Sequence, residues 1–216
     1  MSPLITIRRR DGWQVAFLWV GVTVVGAALA SLVAWRLRAL DPAGPVWVQQ
    51  VVAFAVAAET QLIISTAQWL LLRTRKVNAR WWVPLSVAAN VTAAFVIIPP
   101  IIGLALAAGM IQPVTADGAR SFGTLSLALS GLVVGIAQMF VWRSAAGKAT
   151  WAWVWVPSTV IGAVLAGAVT YGLFLQLFGT FLRLGLLVPG LIGLLAAVGA
   201  FLSSACQAPV VARLLR

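Results

Sequence analysis

The chain has no histidine, a single cysteine and only four acidic residues among 216. Without histidine there is no His-ligated haem or zinc, and no Ser-His or Cys-His nucleophile pair. The acids, Asp11, Asp41, Glu59 and Asp117, are too scattered in sequence to suggest a metal site. No metal and no cofactor is therefore implied. Cys206 lies in an apolar run and cannot form an internal disulfide, so the redox compartment stays open. Charge is scarce altogether, at 9% of residues against about 25% in a soluble domain. Too few polar residues remain to cover a water-facing surface, so the surrounding solvent must be largely lipid.

What the chain has in excess is apolar sequence, 62% of residues, with a mean hydropathy of +1.03. A spanning helix needs about 20 mostly apolar residues. Six runs qualify: 13–35, 46–72, 81–98, 122–142, 151–178 and 184–211. Lipid tolerates no unpaired backbone, and these runs lack the alternation of barrel strands, so they must be helices. The expected fold is an all-α, polytopic bundle of six transmembrane helices in one integral membrane domain, 1–216.

The net charge of +11 has an ordinary origin. Cationic residues flank membrane helices on the cytoplasmic side. Arg8, Arg9, Arg10, Arg73, Arg75, Lys76, Arg80, Arg143, Lys148, Arg213 and Arg216 fall on one side of the six-run scheme, and Arg36, Arg38, Arg120 and Arg183 on the other. Eleven against four places both termini in the cytoplasm. No segment combines basic residues with a soluble fold, so the expected surroundings are the lipid bilayer and not nucleic acid.

Two points in the runs have rival readings. Three arginines, an apolar run and Ala28-Leu29-Ala30 resemble a cleavable signal peptide. The run continues past that site to Trp35, however, and helix 1 is needed as the partner of helix 2, so a retained helix is expected. The third run carries Pro99-Pro100, which should end or sharply kink its helix. Residues 101–110 then cap the bundle at the outer interface, or re-enter it as a pore element.

The chain also repeats itself. Gln68-Trp69-Leu70-Leu71-Leu72-Arg73 returns seventy residues later as Gln138-Met139-Phe140-Val141-Trp142-Arg143. A basic loop follows each copy, then Trp82-Val83-Pro84 or Trp155-Val156-Pro157, and Gln207 with Arg213 is a looser third echo. The unit is a hairpin whose returning helix ends Gln-x4-Arg or nearly so, giving three tandem repeats, approximately 1–76, 77–148 and 149–216. Their shared topology puts any pseudo-symmetry axis along the membrane normal. Trp69, Trp81, Trp82, Trp142, Trp151, Trp153 and Trp155 are expected to form one cytoplasmic headgroup belt. Gln68, Gln138 and Gln207 lie less than two turns inside it. They are either interhelical glue or a ring of amides lining a cytoplasmic-side mouth. Small residues at packing spacing, Gly26, Ala30 and Ala34, Gly131 and Gly135, and Gly162 and Ala166, suit tight packing within the chain or against a partner or second copy.

Glu59 is the one residue that asks for chemistry. It lies near the middle of the second run, where a carboxylate costs several kcal/mol unless protonated, hydrated or paired. No Lys or Arg lies at that depth. The candidate intramembrane polar site comprises Glu59, Gln61, Asn90, Tyr171 and Gln176, with a proton relay or ion and small-molecule binding as its function. Its rival is one structural hydrogen bond. Membrane hydrolases need two converging polar groups, whereas Lys76 and Lys148 are in loops and Glu59 has no acidic partner, so no enzyme is expected.

Ala67-Gln68-Trp69-Leu70-Leu71-Leu72-Arg73, followed by Trp81-Trp82-Val83, resembles a repeated signature of uncharacterised bacterial multi-pass membrane proteins. There, Gly-x-x-Gln-Trp-x-x-x-Arg precedes a short linker and paired tryptophans. Ser65 stands here in place of the glycine in the first copy, and Met139 in place of the tryptophan in the second. The resemblance covers roughly residues 65–85 and 135–157; it implies a bacterial inner-membrane protein and no activity. In size and helix count the chain is also similar to the substrate-binding membrane subunits of energy-coupling-factor vitamin transporters. Their Ala-x-x-x-Ala pattern in the first helix would be supplied by Ala30 and Ala34. Two functions follow: a non-enzymatic structural or accessory subunit, or a binding or transport module centred on Glu59.

Overall fold

The computed structural model describes residues 3–38, 45–75, 77–111, 115–146, 149–183 and 188–215. The elements are α1 (Pro3–Arg38), α2 (Val46–Thr74), α3 (Trp82–Thr92), a π-helical turn (Ala93–Ile97), α4 (Ile98–Ala107), α5 (Ala116–Ala146), α6 (Ala149–Arg183) and α7 (Val188–Leu214). Among the described residues, six helical stretches are long and apolar enough to cross a membrane. Residues 184–187 of the sixth expected run, the loop with Asp41, and Lys76, Lys148 and Arg216 lie outside the described residues.

The third span overturns one of the two outcomes expected at Pro99-Pro100, an end of the helix, and leaves the other, a kink. Pro99-Pro100 neither ends the helix nor starts a cap, because the span runs on from Trp82 to Ala107. The π-helical turn Ala93–Ile97 comes immediately before the prolines, which occupy the opening positions of α4. A π-turn resets the hydrogen-bond register, and at the first positions after it a missing N–H is tolerated. The span ends where Gly109 takes φ +69°. There Gly109 N–H donates to Leu106 O and Met110 N–H to Ala105 O, a Schellman closure.

The spans pack as a closed circuit: α1 on α2, α2 on α3, α3 on α5, α5 on α6, α6 on α7, and α7 back on α1. Close approach comes from small residues. Gly26 of α1 sits against Ile64 and Ala67 of α2. Gly131 and Gly135 of α5 meet Ala163 and Thr159 of α6, and Gly162 of α6 meets the Ser203 backbone of α7. Ala30 and Ala166 are buried as well, and Ala34 is half-buried. Each of these glycines thus faces a neighbour in the same chain.

The core is not spread evenly along the bundle. Its largest cluster draws Val15 and Trp19, Leu71 and Leu72, Trp82, Met139 and Trp142, Trp155, and Val210 and Val211 from all six spans. All lie near the end that carries Arg73, Arg143 and Arg213. Toward the opposite end α2 presents Val46, Trp47, Val51 and Phe54 outward, with Trp47 66% exposed. Apolar side chains in such positions need only lipid as their neighbour.

Candidate functional site

The core contains one polar arrangement made three times. Gln68 Nε2 donates to Thr23 Oγ1 at 3.0 Å, and Gln68 Oε1 accepts from Trp82 Nε1 at 3.3 Å. Gln138 Nε2 donates to Ser86 Oγ at 2.9 Å and its Oε1 accepts from Trp155 Nε1 at 3.1 Å. Gln207 Nε2 donates to Thr159 Oγ1 at 3.2 Å and its Oε1 accepts from Trp19 Nε1 at 3.0 Å. Each glutamine therefore bonds a hydroxyl on the membrane span preceding its own and an indole on a further span. The last link, Trp19 to Gln207, spans 188 residues and closes the circle.

Helix geometry sets this up. Trp19 and Thr23, Trp82 and Ser86, and Trp155 and Thr159 are four residues apart, one above the other on a helix face. Thr23 and Thr159 donate their own protons back to the carbonyls of Trp19 and Trp155, at 2.7 and 2.9 Å. Their lone pairs are then left for the glutamine amides. The short turn after α2, held by Val77 N–H to Leu72 O and Trp82 N–H to Ala79 O, swings Trp82 beneath Gln68.

Inside the circle the indoles fill the axis. Trp19, Trp82 and Trp155 are each 0% exposed and meet one another edge-to-face, with centroids 5.5, 5.6 and 5.9 Å apart at angles of 70–83°. Trp142, 1% exposed, packs on all three at 5.5–6.5 Å. It stands four residues after Gln138, where Leu72 and Val211 follow Gln68 and Gln207. One large ring there completes the filling. Among the described residues its Nε1 has no hydrogen-bond partner. Of the two readings of the three glutamines, interhelical bonding or a lined mouth, their bonds match the first, and side chains fill the space between them.

The expected tryptophan belt is corrected in part. Trp82, Trp142 and Trp155 belong to the axis, while Trp81, Trp151 and Trp153 face outward and Trp69 is partly buried. The outward rings carry the arginines: Arg73 lies over Trp69, Arg80 over Trp81, Arg143 over Trp153 and Arg213 over Trp151, at 5.4–5.9 Å. Cation–π contacts of this kind suit the headgroup level. Trp81 and Trp82 differ by about 100° of helix phase, enough to send one to lipid and the other to the axis. The member missed by sequence reading is Trp19. Its signal was Thr23 four residues on, the spacing of Ser86 after Trp82 and of Thr159 after Trp155.

The second candidate site is not gathered in one place. Both carboxylate oxygens of Glu59 are buried and have no hydrogen-bond partner among the described residues. Asn90 is engaged near it: its Nδ2 donates to Ala57 O at 3.0 Å, and its Oδ1 accepts from Ser130 Oγ at 2.8 Å. Asn90 so ties α3 to both α2 and α5. Gln61 is half-buried on α2, where its backbone carbonyl accepts from Ser65 Oγ at 2.6 Å. Tyr171 and Gln176 lie on α6, which packs chiefly on α5 and α7 and not on α2. The Tyr171 ring fills the space beside Gly123 of α5, and Gln176 is exposed. Among the described residues no group of three or more Cys, Asp or Glu is placed to hold a metal ion.

The fold and its core define a multi-pass α-helical membrane protein whose spans are joined by a closed Gln–Trp–hydroxyl circuit. No family model, curated protein or solved structure matches the chain.

The circuit yields a first prediction. Gln138→Ala removes two hydrogen bonds and orphans Trp155 Nε1 and Ser86 Oγ. Interhelical hydrogen bonds in lipid average about 0.6 kcal/mol, and a stranded buried donor costs about 1–3. Reversible unfolding in mixed micelles should therefore show a loss of about 1–3 kcal/mol, and Gln68→Ala and Gln207→Ala should match it. A loss below about 0.5 kcal/mol would mean that the amides rebond elsewhere.

Proposed function

We propose that the chain is a non-enzymatic structural or accessory subunit of the bacterial cytoplasmic membrane. On this reading it consists of three tandem hairpins, approximately 1–76, 77–148 and 149–216, arranged about a pseudo-threefold axis along the membrane normal, with both termini cytoplasmic. One observation carries the reading. Gln68, Gln138 and Gln207 bond to the hydroxyls and indoles around them, and indoles fill the space they enclose. A pathway needs polar groups left open to a passing solute, whereas these are mutually satisfied. The recurrence of Trp, Ser or Thr and Gln in the same bonding pattern supports the hairpin repeat, and the eleven-to-four cation bias supports the orientation. Removal of the segment before Ser31 would take Trp19 and Thr23 with it, which favours a retained first helix.

The test is twofold. Full-length chain reconstituted into vesicles should give no ion flux above that of protein-free vesicles. Mild extraction from its native membranes should recover a membrane-protein partner at fixed stoichiometry. A solitary chain carrying a discrete water-soluble small molecule would overturn the reading.

A binding or transport module remains the second reading, on the strength of Glu59, whose buried oxygens have no described partner. Its separate test is Glu59→Gln. If the module reading holds, proton-coupled uptake should fall by about tenfold or more, as for loss of a coupling carboxylate. Unchanged uptake removes Glu59 from any function.

A further inference from the structure

Away from the tryptophan core, at the end opposite the basic loops, an open groove of about 630 Å³ lies along one side of the α5–α6 contact. One face of α5 forms its floor, since Asp117, Arg120, Ser121 and Thr124 recur at three- and four-residue steps and lead down to Leu125 and Ala128. Val164 and Ala168 of α6 form the other wall. The groove is therefore polar at its mouth and apolar below.

We propose that this groove binds one phospholipid with a primary-amine headgroup, its phosphate on Arg120, its ammonium on Asp117 and an acyl chain along Leu125, Ala128, Val164 and Ala168. This site is independent of the subunit reading above. Three observations carry it. The first is charge: Asp117 and Arg120 are both exposed, and no ion pair joins them to each other or to any described residue. Residues three apart on a helix hold their Cβ atoms about 5–6 Å apart. That spacing suits the two-carbon link between phosphate and ammonium in an ethanolamine headgroup. A choline headgroup offers no N–H to the Asp117 carboxylate, and a glycerol headgroup offers no cation.

Depth is the second. From Asp117 to Ala128 the helix rises about 16 Å, close to half of a hydrocarbon core about 30 Å thick. The groove thus reaches from headgroup level toward the bilayer midplane, the length of one leaflet. The third is the way the walls are shaped. Gly172 of α6 lies against the Arg120 guanidinium, whose carbon is 4.0 Å from where a Cβ would stand. Below, Gly167 brings α6 so close to Thr124 that a Cβ there would lie 2.8 Å from Thr124 Cα. The helices are pinned at Gly167 while the small side chains Ala128 and Ala168 keep the channel beside them open.

The test uses full-length chain, delipidated in detergent and then offered equimolar phosphatidylethanolamine, phosphatidylcholine and phosphatidylglycerol, with bound lipid read by native mass spectrometry. The expected result is one retained lipid, with the ethanolamine form favoured by at least about fivefold, as two charge-assisted hydrogen bonds allow. Asp117→Asn should remove the preference over choline lipid, and Arg120→Gln should weaken retention of all three. Both side chains are exposed, so both variants should fold, as checked by helicity and monodispersity. Ala128→Phe fills the apolar channel and should abolish retention. Equal retention of the three lipids, or an ethanolamine preference that survives Asp117→Asn, would overturn the proposal. So would displacement of the lipid by soluble phosphoethanolamine alone, which would show that the acyl channel contributes nothing.

Discussion

Trp82→Ala lowers the free energy of unfolding in mixed micelles by about 3–5 kcal/mol, the range for deleting a large aromatic side chain from a packed core. The figure follows from what the ring touches. Its centroid lies 5.5 Å from those of Trp19 and Trp142 and 5.9 Å from that of Trp155, and its Nε1 holds Gln68. Lipid tails are as apolar as the indole, so the loss arises from dispersion contacts and the cavity, not from exposure to water. Trp19→Ala and Trp155→Ala should agree with it to within about 1 kcal/mol, because each removes the same kinds of neighbour. A spread above about 2 kcal/mol would refute the equivalence of the three sites.

Phenylalanine variants separate packing from hydrogen bonding. Trp82→Phe keeps an aromatic ring but strands Gln68 Oε1, so it should lose about 1–2 kcal/mol. Trp142→Phe should cost less than that, since Trp142 Nε1 has no acceptor to lose. Removing an unsatisfied buried donor even offsets part of the reduced ring contact. The reverse order, with Trp142→Phe the more damaging, would show that the fourth indole makes a contact the other three do not.

How much of this was legible in the chain depends on which residues carried phase information. The six spans followed from apolar length alone, and Gln68, Gln138 and Gln207 stood out because each recurs at the same or nearly the same distance before an arginine. Which face of each helix pointed inward was much harder to read. In water the apolar stripe marks the core, but in lipid both faces are apolar and the stripe disappears. Trp81 and Trp82 look alike in composition, yet one faces lipid and the other the axis. The inward face is written instead in small and hydroxylated residues. Trp19, Thr23 and Gly26 have the spacing of Trp82, Ser86 and Ala89 and of Trp155, Thr159 and Gly162.

Trp19 escaped notice because no basic loop of the same kind introduces it and no proline follows two residues later. Pro99-Pro100 did not end the helix for a different reason. The rule that proline breaks a helix assumes unbroken α register, and the π-turn at Ala93–Ile97 changes the register just before the rings arrive. The α5–α6 groove could not be read at all, since it depends on how closely Gly167 lets α6 approach Thr124 of α5.

Gly162→Leu should prevent recovery of a folded, monodisperse protein. A Cβ at Gly162 would stand 2.7 Å from Ser203 O and 2.8 Å from Ser203 Cα, and these are backbone atoms that cannot rotate aside. The α6 and α7 backbones would have to separate before those contacts reached the ordinary 3.4–4 Å. One turn away the same two helices are joined by Gln207 Nε2 and Thr159 Oγ1, already at 3.2 Å, so even a small separation breaks that bond. Gln207 also receives Trp19, the link that joins α1 to α7. Damage at Gly162 therefore opens the whole circuit. Gly162→Ala is the graded form, expected to cost about 1–3 kcal/mol as a mild overpacking. Gly21→Leu is the control, because Gly21 is exposed on α1 with nothing within 4 Å of its Cβ position, and it should leave stability within about 0.5 kcal/mol of the parent. Ser203→Gly should fail to rescue Gly162→Leu, since the atoms in the way belong to the main chain. Rescue by that second change would mean that side-chain bulk, and not the separation of the two helix backbones, limits the interface.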